Sequence, residues 1–207
     1  MSKTLPADRE ATFWAGVEEA SKFFMGGSDA QRTLERLAAV LDEAAIPYAI
    51  LGAMALNEWG YRRVTVDVDV LLTPDGLARL KSVALGKGWV EKSPGSRGLR
   101  DATTGVHVDV VLAGEFPGDG KPKPVAFPDP ARVAVRGQRV ALLPLPTLVE
   151  LKLASGLSAP HRLKDLADVL ELVRALDLPR DLAASLDPSV RAKYEELWAA
   201  AQTRDPE

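Results

Sequence analysis

The chain has 207 residues, with 26 Lys and Arg against 29 Asp and Glu, a formal net charge of −3 and no cysteine. The missing cysteines exclude disulfides, thiolate metal sites and a cysteine nucleophile, and the acidic balance argues against a protein that wraps nucleic acid. A hydrophobic fraction of 46% supplies the core of an ordinary domain, whereas no apolar run reaches the ~20 residues of a bilayer span and charges fill the N-terminus where a signal peptide needs apolar residues.

A cytoplasmic protein is therefore expected. Phe13, Trp14, Val17, Ala20, Phe23 and Phe24 have helical spacing and predict a first helix from Pro6 to about Phe24, stopped at Gly26-Gly27. Ser28 or Asp29 caps a second helix running to about Ala45, with Leu34, Leu37, Ala38, Val40 and Leu41 on its buried face. Tyr48–Leu51 reads as a buried strand ending at Gly52, followed by a short helix over Ala53–Trp59. Strict alternation over Thr65–Leu72 predicts a strand. A helix from Pro74 to Leu85 follows, then weak strands at Trp89–Glu91 and Leu99–Asp101 and a strong one at Gly105–Leu112. The Pro-, Gly- and Lys-rich stretch 114–130 is expected to be an exposed loop. Strands near Arg132–Val135 and Arg139–Leu143 are expected to form a hairpin at Arg136-Gly137. Helices follow at Thr147–Ser155, Lys164–Leu176, a short Asp181–Leu186 piece and Pro188–Ala201.

The expected fold class is therefore mixed α/β (α+β). It has a helical N-terminal segment (1–30), a small mixed sheet flanked by helices (31–143) and a helical C-terminal third (144–207).

Side chains two apart on a strand share a face. Asp67 and Asp69 thus project together, about 7 Å apart at the backbone, with Val66, Val68 and Val70 opposite. His107 and Asp109 share a face of the later strand in the same way. If those strands are neighbours, three carboxylates converge, and like charges that close need neutralising. A pair of divalent cations does this, since hard Mg²⁺ prefers carboxylate oxygen. An amphipathic strand with one wet face also alternates Val with Asp, and Gly52 by itself requires only a tight strand-to-helix turn. A strand ending at Gly52 before a helix also leaves backbone N–H groups able to meet a phosphate.

In this order, Leu51-Gly-Ala-Met-Ala-Leu56, Arg63-Val-Thr-Val-Asp-Val-Asp-Val70 and Val106-His-Val-Asp-Val110 resemble the polymerase-beta-type nucleotidyltransferase superfamily. Arg63 and Thr65 ahead of the acidic pair, Lys152 on a later helix and Arg162-Leu-Lys-Asp-Leu-Ala-Asp168 are similar to its AbiEii-like bacterial branch. The resemblance covers roughly residues 45–175. It implies Asp67, Asp69 and Asp109 as catalytic residues and ligands of two Mg²⁺ (or Mn²⁺) ions. It further implies Gly52 and Ala53 around the nucleotide phosphates and Lys152 against triphosphate charge. Arg63, Thr65, Arg162, Lys164, Asp165 and Asp168 would complete the lining. Ala53 departs from the family's Gly or Ser: it keeps the N–H and lacks a hydroxyl.

The implied activity is Mg²⁺-dependent transfer of a nucleoside monophosphate from an NTP to an RNA, protein or small-molecule hydroxyl. The protein would belong to a toxin–antitoxin or abortive-infection system with an antitoxin partner, and an oligomer is compatible with the apolar first helix. The alternatives are a catalytically weak or inactive nucleotide-binding or interaction module of the same fold, and a metal-dependent nuclease.

Smaller features carry competing explanations. Arg162, Asp165 and Asp168 fit pairing along a helix surface, and Lys152 fits snorkelling to water. His107 fits a base, a ligand or a hydrogen bond to a neighbour. Trp14, Trp59, Trp89 and Trp198 read as core or interface. Lys121, Lys123, Arg97, Arg100, Arg132, Arg136 and Arg139 form either a track for an RNA backbone or a solvated loop.

Overall fold

A computed structural model describes residues 27–203, together with Gly16, Glu18, Ala20 and Lys22. The aromatic stripe of Phe13, Trp14, Phe23 and Phe24, with Val17, lies outside the described residues. Helix α1 spans Asp29–Glu43 and starts on a reciprocal cap: Ser28 Oγ accepts from Gln31 N at 3.2 Å, and the Gln31 side chain accepts from Ser28 N at 3.1 Å. Strand β1 is Ala49–Leu51, and α2, Gly52–Glu58, follows with no intervening residue. After an irregular segment come β2 (Asp67–Leu72), α3 (Pro74–Ala84), β3 (Trp89–Glu91), β4 (Leu99–Asp101) and β5 (His107–Leu112).

Seven strands form one mixed sheet. Its order is β3-β4-β5-β2-β1-β7-β6, where β6 is Val135–Arg136 and β7 is Ala141–Leu142. The pairing of β2 with β5 is parallel, with Asp67 opposite His107 and Asp69 opposite Asp109. The pairing of β1 with β2 is antiparallel and puts Leu51 opposite Asp69. Val68, Val70 and Val108 on the other face are fully buried. The wet-face alternation and the converging carboxylates are therefore both features of one sheet: the valines hold β2 and β5 in the core, and pleating alone sends the acids the other way.

Two expectations are corrected. The strand expected near Arg132–Val135 is shorter and starts later: Asp129 accepts from Ala131 N at 2.9 Å and Pro130 opens a short helix, α4, over Pro130–Val133, so only Val135–Arg136 (β6) pairs with β7 in the hairpin. The stretch 114–130 is not simply an exposed loop. Pro117 and Val125 are buried, Asp119 N donates to Ser158 Oγ at 3.2 Å, and Lys123 Nζ reaches the Pro117 carbonyl at 2.6 Å. The segment is a strap fastened to the helix that ends at Ser158.

That helix, α5 (Leu145–Ser158), precedes α6 (Leu163–Leu176) and α7 (Pro188–Gln202), with 3₁₀ turns at Pro160–Arg162 and Arg180–Ser185. These three helices pack on one another, and the buried core runs without interruption from Ala30 to Tyr194. Trp59 and Trp198 donate to the Leu143 and Leu178 carbonyls, and Trp89 is buried beneath the Arg36 guanidinium, 5.9 Å from the ring centre. These three tryptophans are accounted for by packing. Glycine is required where α5 meets α6: a methyl on Gly156 would stand 2.5 Å from Leu166 Cγ. Gly156→Ala should cost about 1–3 kcal/mol by overpacking, read as a lower urea midpoint at unchanged m-value. Among the described residues no helix is long and apolar enough to cross a membrane.

Candidate active site

The acidic face of β2 opens into a cleft of about 760 Å³ between the sheet, the strap and helices α5 and α6. Gly52, Ala53, Arg63, Thr65, Asp67, Asp69, Lys152, Arg162, Lys164, Asp165 and Asp168 all line it. Asp109 does not: it lies in register beside Asp69, and its carboxylate is held by Lys92 Nζ at 2.8 Å. His107 is exposed and is likewise absent from the lining.

Gly52 takes φ +63°, the left-handed conformation that joins β1 directly to α2, and a Cβ there would overlap the Asp69 carboxylate. The glycine is therefore needed twice, for its backbone and for the space it leaves. Gly52→Ala should displace Asp69 and cost at least about 1 kcal/mol from the backbone conformation alone, read as a fall in Tm. Ala53 is buried, and its carbonyl is engaged by Asn57. Thr65 and Val66 lie outside β2; the Thr65 hydroxyl donates to the Asp67 carboxylate.

Burial first, then the neighbouring charges of Asp67 and Asp109, push the Asp69 carboxyl up to about 7, against the weaker pull of Lys152 and Arg63. The opposite wall is an ion network. Arg63 Nη1 donates to both Asp168 oxygens at 2.9 and 2.7 Å, and Lys152 Nζ reaches Asp168 at 2.6 Å and Asp165 at 3.3 Å. Ser155 Oγ donates to Asp165 at 2.7 Å. Asp168 is only 5% exposed, so pairing along a helix surface does not describe this cluster. Lys152 does not snorkel to water either: its side chain is 13% exposed and ends on carboxylates. Arg162 approaches Asp165 at 3.8 Å, and its Nε is buried without a hydrogen-bond partner.

The lining carries five cations (Arg63, Arg97, Lys152, Arg162, Lys164) and five carboxylates (Asp67, Asp69, Glu115, Asp165, Asp168). Arg97 grips Glu115 with two bonds of 2.8 and 2.6 Å, which fixes the start of the strap. The basic residues in sequence around the strap are mostly paired: Arg136 with Asp42, Arg139 with Glu35, Lys123 with Asp119. They do not make a continuous basic track.

Sequence reasoning missed Asn57, Lys92, Ser155 and the strap residues Glu115, Phe116 and Gly118. Asn57 and Ser155 follow apolar runs on their helices, Ala53–Leu56 and Leu153-Ala154, but so do other polar residues, so spacing alone did not single them out. The strap gave no signal, because Glu115 and Asp119 meet Arg97 and Ser158, which lie outside the segment in sequence.

No family model matches the chain, and no curated protein does. Among solved structures it is similar to ANT(2″)-Ia in complex with adenylyl-2″-tobramycin, at 16% identity and TM-score 0.45 over 83% of this chain and 95% of that one. It is also similar to a protein of H. pylori assigned as a nucleotidyltransferase, at 15% identity and TM-score 0.47 over 84% of this chain and 92% of that one. A third similar structure is JHP933 from Helicobacter pylori, at 16% identity and TM-score 0.46 over 84% and 89% of the two chains.

Proposed function

We propose that the protein is a Mg²⁺-dependent nucleotidyltransferase that moves a nucleoside monophosphate from an NTP to an acceptor hydroxyl. The observation that carries this reading is the placement of Asp67 and Asp69 on one face of β2, beside Asp109 on β5, around a glycine turn that leaves room for the Asp69 carboxylate. Among the described residues no three acidic or histidine side chains are arranged to hold a metal ion by themselves. The donor set still fits Mg²⁺, which is commonly held by one or two carboxylates with the substrate's phosphate oxygens completing its shell. Asp67 and Asp69 would hold the ions, with Asp109 joining them if Lys92 is displaced. Bound there, they would supply Lewis-acid stabilisation of charge on the transferring phosphoryl group.

The chain's own residues do the rest. Backbone amides around Gly52 and Ala53 receive phosphate oxygens. Arg162 and Lys164 face the triphosphate as the lining cations least committed to carboxylates, while Arg63 and Lys152 hold the wall through Asp168 and Asp165. The acceptor oxygen bonds to the α-phosphorus, the bond to the β-phosphate bridging oxygen breaks, and pyrophosphate leaves with the electron pair. The hydroxyl proton passes to a carboxylate of the cluster; the family resemblance assigns this role to Asp109.

The balanced lining favours a small-molecule or protein hydroxyl over an RNA end, because a polyanion needs several uncommitted cations. A toxin–antitoxin role in the cytoplasm, with an antitoxin partner and kinship to the AbiEii-like branch, belongs to this proposal. The test is incubation with each α-labelled NTP and Mg²⁺: label should move to an acceptor in a bacterial extract, with stoichiometric pyrophosphate release. RNA shortening without added NTP would point instead to a nuclease.

The Lys92–Asp109 ion pair favours a second reading, a module that binds nucleotide without transferring it. Such a module would bind Mg-NTP by calorimetry and leave it intact.

A further inference from the structure

We infer that Asn57 is a positioning residue that sets the Gly52 turn against the carboxylates of β2. Its amide spans two elements. Nδ2 donates to the Ala53 carbonyl at 2.7 Å and to the Arg63 carbonyl at 2.6 Å, while Oδ1 accepts from Arg63 N at 2.9 Å. Both N–H bonds and one lone pair are thereby used. The orientation is fixed by its partners, since a flipped amide would turn its oxygen on two carbonyls.

Arg63 lies in the irregular segment between α2 and β2, where no ladder satisfies its backbone. Asn57 serves as the missing strand partner for that residue, bonding both its N–H and its C=O. Two site contacts follow from the place where Arg63 is held. Its guanidinium reaches across the cleft to Asp168, and two residues later the Thr65 hydroxyl meets the Asp67 carboxylate. The same Nδ2 also holds the carbonyl of Ala53, next to the glycine against which Asp69 rests. One side chain outside the cleft lining thus fixes the distance between the phosphate turn and the acidic pair.

The inference rests on the nucleotidyltransferase reading for its catalytic consequence, though not for the clamp itself. Asn57→Ala removes all three bonds. Asn57→Asp keeps an acceptor for Arg63 N and turns a second oxygen on the two carbonyls, so it serves as the control if Asn57→Ala folds poorly. Hydrogen exchange at Arg63 and across 60–66 is expected to rise at least about tenfold in Asn57→Ala, and by less in Asn57→Asp because an acceptor for Arg63 N remains, with β5 and α6 unchanged. The transfer kcat should fall about a hundredfold per folded molecule, the scale expected for misplacement by an ångström, with a smaller change in KM for NTP. Unchanged exchange at Arg63 would overturn the clamp. Faster exchange with unaltered kcat would reduce Asn57 to a loop fastener and overturn its positioning role. If wild type transfers nothing while the exchange change appears, the clamp stands and the functional reading falls.

Discussion

Asp67→Asn and Asp69→Asn are each expected to lower nucleotidyl transfer about a thousandfold or more without unfolding the protein. Each removes a charge from the face of β2 that opens on the cleft, and ion-held phosphoryl transfer states lose several kcal/mol when a ligand goes. The fold survives because β2 is held by its other face: Val68, Val70 and Leu72 are fully buried and carry the packing. Asparagine keeps the volume, so no cavity opens. Transfer assays with α-labelled NTP, beside circular dichroism of the same samples, read the two effects separately. Either variant retaining wild-type turnover with Mg²⁺ present would sink the proposed mechanism.

The protein without metal is expected to lose stability as pH rises from about 4 to above 7, and Asp69→Asn to remove most of that slope. The sign follows from proton counts. Below an ordinary carboxyl pKa, near 3.9, Asp69 is protonated whether folded or unfolded. As pH rises towards 7 the unfolded chain gives up this proton while the folded chain keeps it, since the folded carboxyl is pushed up to about 7. The unfolded state then binds fewer protons, and stability falls with pH until both forms are ionised. At about 1.4 kcal/mol per unit the limit is roughly 4 kcal/mol, reduced because the carboxylate borders the cleft. Urea midpoints at pH 5, 7 and 8.5 in EDTA check the direction, and Mg²⁺ should restore stability most at the highest pH by binding the ionised form. Asp67→Asn should flatten the same profile in part, as it removes one charge that raises Asp69. An apo protein that gained stability across this range would contradict the arrangement.

These two outcomes pull in opposite directions, as they should at a site whose charges are there for function. The residues that cost stability when empty, Asp67 and Asp69, are the ones proposed to hold the ions. Arg63, Lys152, Asp165 and Asp168 form a satisfied network instead, and their first contribution is to hold α5 and α6 at the cleft wall.

The alternating Val and Asp of 67–70 and 106–110 determined by themselves which side chains share a face, because a strand's period of two leaves no choice. Gly52 could be read as a turn, and the helices of the C-terminal third followed from apolar spacing and from prolines at 144, 146 and 188. Short-range physics fixes those features, so they are legible along the chain. What the sequence left open was long-range. That β2 and β5 are parallel neighbours in the register Asp69 to Asp109 depends on sheet order, which no local pattern encodes. That Gly52 leaves room for a carboxylate seventeen residues later needed the register of β1 on β2. The pairing of Arg63 with Asp168, the strap on Ser158 and the capture of Asp109 by Lys92 are likewise contacts between distant segments. The sequence thus determined which residues carry charge and which face they take. Only the tertiary structure decided which charges are already neutralised by a neighbour and which remain open to a ligand, because that depends on distances set by packing.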